Sequence, residues 1–177
     1  VELEVKENVC TIQSGSFSTR MNGLPAEEFP PMPEFSKHNT IKMEQAKVKS
    51  MLRRTAFAVS VDENRYVLNG LFLSFKEKKL TMVATDGRRL AFTEEETDQP
   101  QESSIDIIVP TKAIQELSRQ LEEAGEVEII ITENQASFNL INEEKEGARV
   151  ITKLVEGAYP NYKQVIPTEA FEKSEVE

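Results

Sequence analysis

One order of elements occurs twice along this chain, and few folds can accommodate it. The first copy opens with a short strand at residues 40–43. A helix of about fifteen residues follows and runs to Ala58. Its Val48, Met51, Leu52, Thr55 and Ala56 take the i, i+3, i+4, i+7, i+8 spacing of one buried face. Three strand-like runs come next, at residues 66–75, 79–85 and 88–93. The second copy has a strand at 105–109, the helix TKAIQELSRQLEEAG, and runs at 126–132, 135–141 and 148–155. Pro110 near the first turn and Gly125 past the end are the usual marks of helix start and stop. Setting Glu44 against Thr111 places the copies 67 residues apart. The pattern predicts an α+β fold of two β-α-β-β-β units, with paired helices packed on antiparallel sheet.

A longer repeat frames this one. GSFSTRMNGLPAEEFP near the start resembles GARVITKLVEGAYPNYKQVIP near the end, and Pro25 and Pro160 are 135 residues apart. Four prolines between Pro25 and Pro33 exclude regular helix or central strand there. Residues 1–35 therefore read as one or two strands ending an earlier domain, 36–165 as a complete domain, and 166–177 as the start of a third. The chain starts inside an alternating pattern and ends in TEAFEKSEVE, so a piece of a longer protein is expected.

The chain has 31 acidic and 21 basic residues, a net charge of −10, which read alone argues against nucleic acid. The distribution says otherwise. Lys42, Lys47, Lys49, Arg53 and Arg54 fall opposite the apolar face of the first helix, and only Glu44 opposes them. Such a stripe is either a solvated face or the electrostatic footprint of phosphate contact. In the second helix Ile114, Leu117 and Leu121 make the buried stripe. Lys112 and Arg119 lie opposite it together with Glu116 and Glu123, so its field is weak. There is no zinc-finger spacing and no tryptophan, so any contact with nucleic acid should run through phosphates and ignore sequence.

Enzyme chemistry is not legible. His38 is the only histidine and sits beside the proline-rich linker, away from any nucleophile setting. Cys10, the only cysteine, alternates like a strand residue and is expected to be buried. The seven glycines form no phosphate loop, and no ligand cluster suggests a metal or cofactor. One cysteine and no secretory signal point to a reducing compartment. No apolar run approaches the roughly 20 residues that span a bilayer, so a soluble, cytoplasmic protein is expected.

LTMVATDGRRLAF sets two apolar runs on either side of Asp86-Gly87. Asp-Gly is the strongest short hairpin signal and predicts a two-residue type I′ turn. Asp86 is thereby a turn residue; an enzyme acting through it on an anionic substrate would need a second polar group converging there. Arg88 and Arg89 beside Thr85 and Leu90 give an apolar wall with a charged rim, able to seat an apolar peptide side chain.

RYVLNGLFLSF, LTMVATDGRRLAF and ITKLVEGAYPNYKQVIP, in this order and spacing, resemble the middle domain of the bacterial sliding-clamp family, the beta subunits of DNA polymerase III. The resemblance takes in GLPAEEFP and covers nearly the whole chain. It implies the DNA clamp fold: a homodimeric ring whose helices line a hole threaded by duplex DNA that is not read. It implies no catalysis and no cofactor. The implied partners are the replicative DNA polymerase, the clamp loader and repair proteins, all docking through short linear motifs. Carried over by motif, the second-domain wall of the peptide pocket is Leu68, Thr85, Gly87, Arg88, Arg89, Leu90, Pro160 and Val165. Gln164 stands where some members carry a basic residue. The DNA-facing set is Lys42, Lys47, Lys49, Arg53, Arg54, Lys112 and Arg119, joined by Arg65 and Tyr66 from a loop. The family's ring interface joins first and third domains, so this chain alone is expected to be monomeric. The competing expectation is an α+β peptide-binding adaptor without DNA contact, and the basic stripe separates the two.

Overall fold

The structure, a computed structural model, describes residues 1–35, 40–142 and 145–167. His38 and residues 168–177 lie outside the described residues. Two compact units divide between Glu34 and Phe35.

The first unit is a three-stranded antiparallel meander: β1 (Glu2–Lys6), β2 (Val9–Ser14) and β3 (Phe17–Asn22). It has one strand more than expected. Ser14 pairs with Phe17, and Gly15 at φ +58° closes that tight turn, which the polar run SGS does not advertise. Cys10, expected in a core, is only half-buried. The described residues here form a single sheet, so no second layer covers β2.

The second unit runs β4 (Thr40–Glu44), α1 (Gln45–Thr55), β5 (Gly70–Thr85), β6 (Leu90–Pro110), α2 (Thr111–Gln120), β7 (Glu126–Ile131), β8 (Gln135–Asn142) and β9 (Lys145–Lys153). One antiparallel sheet has the order β4-β7-β8-β9, and β5 with β6 forms a long two-stranded ribbon. The expected runs 66–75 and 79–85 are one strand, and 88–93 and 105–109 are another. The polar stretch KEKK carries no turn residue. It bends the ribbon through register shifts around Glu77, whose φ is +56°. Residues 66–68 belong instead to a 3₁₀ segment, Glu63–Leu68, which is two short turns kinked at Arg65 (φ −113°, ψ 56°) and started by Asp62 accepting from the Asn64 N–H.

Counting each half of β5 and β6 separately recovers the two β-α-β-β-β units, but the units trade strands. β4 of the first pairs with β7 of the second, Ile41 opposite Ile129. The first half of β5 pairs with the last half of β6, Leu71 opposite Val109. Neither unit closes its sheet alone, so both share one core, with Phe75, Phe138, Leu52 and Ile114 among its fully buried side chains. Each such side chain contributes about 1.5–3 kcal/mol.

Both helices are shorter than expected. α1 starts at Gln45 because β4 extends to Glu44, and it ends in a 3₁₀ turn at Ala56–Ala58. Val48, Met51, Leu52 and Thr55 are buried as the periodicity requires. Lys42 is consequently a strand residue of β4, not part of the helical stripe. α2 has Pro110 as N-cap and ends at Leu121, so Gly125 is not its cap. Gly125 has φ +91° and shapes the approach to β7. Its carbonyl accepts from the Gln45 N–H at 2.9 Å. Buried Gln45 satisfies its own amide there: Nε2 donates to Asn142 Oδ1 at 2.9 Å and to the Glu126 and Ile141 carbonyls, and Oε1 accepts from the Glu122 N–H.

Candidate functional site

The hairpin loop differs from the expected two-residue turn. Thr85 pairs with Leu90, which leaves four residues, Asp86–Arg89, in the loop. Only Gly87 among them has positive φ, +86°. A type I′ turn needs two such residues, and Asp86 uses its side chain instead. Its Oδ1 accepts from the Arg88 and Arg89 N–H groups at 2.9 and 3.0 Å. Those two backbone donors, helped by the Arg89 guanidinium, hold the Asp86 carboxyl below its usual range. Thr85 Oγ1 accepts from the Gly87 N–H and donates to the Arg89 carbonyl. Arg89 is pinned by Asp86 at 3.2 Å, by the Phe57 carbonyl at 2.8 Å, and over the Phe57 ring. Asp86 is thus fully used in holding the loop.

The loop opens onto a cavity of about 590 Å³. Leu68, Thr85, Gly87, Arg88, Arg89, Leu90, Pro160 and Val165 all line it. Leu68 is buried, Leu90 is half-buried, and Pro160 and Val165 are exposed. Arg65, Asn161 and Tyr162 complete the lining. Arg65, expected on the DNA side with Tyr66, is brought to this wall by the 3₁₀ segment, while Tyr66 stays exposed. A Cβ on Gly87 would come 2.7 Å from Arg65 Nη1, so glycine is what lets the guanidinium lie across the loop. Gln164 lies in the 3₁₀ turn Tyr162–Gln164, exposed and off the lining.

Tyr159 fastens the far wall. Its hydroxyl accepts from the Thr85 N–H at 3.1 Å, and its ring stacks on Phe72 at 4.9 Å. Burial pushes the phenol up to about 12, so it is neutral. Tyr162 leans on Phe72 and Phe92. These rings fix Pro160 and Val165 against the hairpin. Their i, i+3 spacing in YPNY is the sequence signal that could have found them.

The second candidate surface is the exposed side of the helices, which touch each other as well as the sheet. It is more neutralised than the sequence suggests. Lys47 pairs with Glu44 at 2.9 Å, Lys49 with Glu123 at 2.8 Å, and Arg54 with Glu95 at 3.2 Å. Arg119 pairs with Glu116. Lys112 and Arg53 are exposed, and Lys42 stands opposite Glu128 in the sheet. Lys49 and Arg53 remain reachable, Lys49 with 35% of its side chain exposed.

Comparison with known proteins agrees with this geometry. The family model for the DNA polymerase III beta subunit, central domain, matches residues 42–161. The beta sliding clamp of Bacillus subtilis is 34% identical over 172 residues, 96% of this chain and 44% of the relative. That of Halalkalibacterium halodurans is 37% identical over 176 residues, again 96% and 44%. The crystal structure of the B. subtilis clamp superposes with a TM-score of 0.83 at 32% identity, covering 94% of this chain and 43% of that one. A Pseudomonas aeruginosa clamp solved bound to griselimycin gives the same TM-score and identity over 94% and 44%. The chain thus spans less than half the length of the relatives it matches. With the fold, the hairpin and the sequence matches in agreement, the chain belongs to the DNA polymerase III beta subunit family, the beta sliding clamps, and carries that family's central domain.

Proposed function

We propose that this chain is the middle of a processivity clamp: a ring that encircles duplex DNA without reading it and tethers the replicative polymerase through a peptide pocket. Residues 1–35 end a first clamp domain, 36–165 form the second, and 166–177 begin a third. The ring is a homodimer, and clamp loader and repair proteins dock through the same kind of linear motif. It works by binding rather than catalysis, and in the cytoplasm. Among the described residues no helix is long and apolar enough to cross a membrane.

The observation that carries the reading is the cavity that gathers all eight expected residues: five on one capped hairpin, Pro160 and Val165 on one aromatic-pinned segment, and Leu68 from the 3₁₀ region before β5. Its size lies within the range of ligand pockets. The griselimycin-bound P. aeruginosa relative supports a ligand site in this family. Family membership disfavours an adaptor without DNA contact.

Leu90 tests the pocket. Burying one partner leucine against it contributes about 1.5–3 kcal/mol, and a carboxylate in its place must also be desolvated. Leu90→Asp is expected to weaken an apolar linear-motif peptide at least tenfold, read by calorimetry on a full-length clamp carrying this chain. Unchanged affinity removes the pocket assignment.

A further inference from the structure

The ion pairs on the helix face invite a question that net charge does not answer: which cations are free to meet a phosphate? Lys47, Lys49 and Arg54 each have a carboxylate within 2.8–3.2 Å. Arg53 has no carboxylate at ion-pair distance among the described residues. The Lys49 pair differs from the other two. Its partner comes from the segment after α2, 74 residues away, and not from the neighbouring turn or the ribbon. Lys49, Arg53 and Glu123 line one small notch with Ala46 and Ser50. Lys49 first, then Arg53, holds the Glu123 carboxyl below its usual range.

An exposed pair of this kind adds little to stability. Glu123 has 82% of its side chain exposed, so its packing anchors nothing. What it does control is the charge that Lys49 presents. A carboxylate oxygen 2.8 Å from Nζ takes one of the ammonium's three donors and offsets the charge a phosphate would meet. The same carboxylate repels a phosphate approaching Arg53.

We propose that Glu123 is an affinity-limiting residue of the DNA-facing surface, an internal counter-anion that holds Lys49 and competes with DNA phosphates for it. This rests on the DNA-facing reading above and adds a device to it. A ring that must move along its duplex gains from cations that bind phosphate only after exchanging a partner already in place. The cost of that exchange is small because the pair is solvent-exposed, so the contact is weak and transient rather than absent.

The test is anisotropy of a short labelled duplex titrated with the protein over a range of salt. Four variants are compared with the parent: Glu123→Gln, Lys49→Gln, the double variant, and Arg53→Glu. Lys49 and Arg53 lie on α1 and Glu123 in the exposed segment after α2, away from the core, where folding is insensitive to such changes. Glu123→Gln is expected to bind about three- to tenfold tighter at low salt, with a log–log salt slope steeper by about one contact. Lys49→Gln alone weakens binding by about fourfold at most, the value of one contact, and it abolishes the gain in the double variant. If Arg53→Glu weakens binding while Glu123→Gln matches the parent, the surface meets DNA and the competitor role is wrong. If neither variant shifts binding, the DNA-facing reading fails with it.

Discussion

Replacing Gly125 with alanine is expected to lower the unfolding free energy of the second unit by about 3 kcal/mol or more, and its melting temperature by about 6–12 °C. Two costs add. Gly125 has φ +91°, where an L side chain is strained by about 1–3 kcal/mol. An added Cβ would also overlap the Ile141 carbonyl oxygen and come 2.5 Å from Asn142 Oδ1 and 3.0 Å from Gln45 Nε2. The first of these is backbone of β8, which cannot swing aside as a side-chain tip would. Moving it disturbs the Gln45 amide that ties α1 to β7 and β8. A buried amide that loses a partner costs about 1–3 kcal/mol more. The site therefore couples the first helix to the second unit's sheet, where the two β-α-β-β-β units interlock. Urea unfolding followed by circular dichroism measures the loss. A midpoint equal to the parent's would mean that the junction is looser than described.

How much of this was legible follows from the range of each interaction. The stripe Val48, Met51, Leu52, Thr55 is a local period, and it located α1 and its buried face correctly. Asp86-Gly87 located the hairpin. The turn type was misjudged because a dipeptide rule allows for backbone angles, and Asp86 closes the loop with its side chain. KEKK reads as a break between strands because charge clusters at surface bends; only pairing with β6 shows a bulged, continuous strand. Thr85, Arg88, Arg89 and Leu90 are legible as a wall from the hairpin itself, while Leu68, Gly87, Pro160 and Val165 come only from resemblance, since nothing periodic links Leu68 to Pro160 across 92 positions. Arg65 reads as a loop residue in the sequence, and its place on the cavity lining follows from the 3₁₀ turns around it, which no local period marks. The pairs Lys49–Glu123 and Arg54–Glu95 join residues far apart in the chain. A helical wheel shows five cations and misses the carboxylates that other elements bring to them.

Reversing Lys49, Arg53 and Arg54 together to Glu is expected to weaken duplex binding more than about a hundredfold near 50 mM salt, and to leave peptide binding unchanged. Nonspecific binding of about 10⁻⁴–10⁻⁶ M spread over six to ten phosphate contacts implies about fourfold per contact. Three lost contacts account for about sixtyfold, and three new negative charges add repulsion. Two of the new carboxylates would also face the old ones, Glu123 and Glu95, and deepen the negative field on that face. The salt dependence is the sharper readout: its log–log slope should fall by about 2–3, since fewer counterions are released. Peptide affinity serves as the internal control, because the cavity is lined by the hairpin, the 160–165 segment, Arg65 and Leu68, and by no residue of α1. Were the slope and the processivity of a clamp loaded on circular DNA both unaltered, the helices would face something other than DNA. A fall in both binding functions together would instead point to misfolding, which the urea midpoint used for Gly125 would detect.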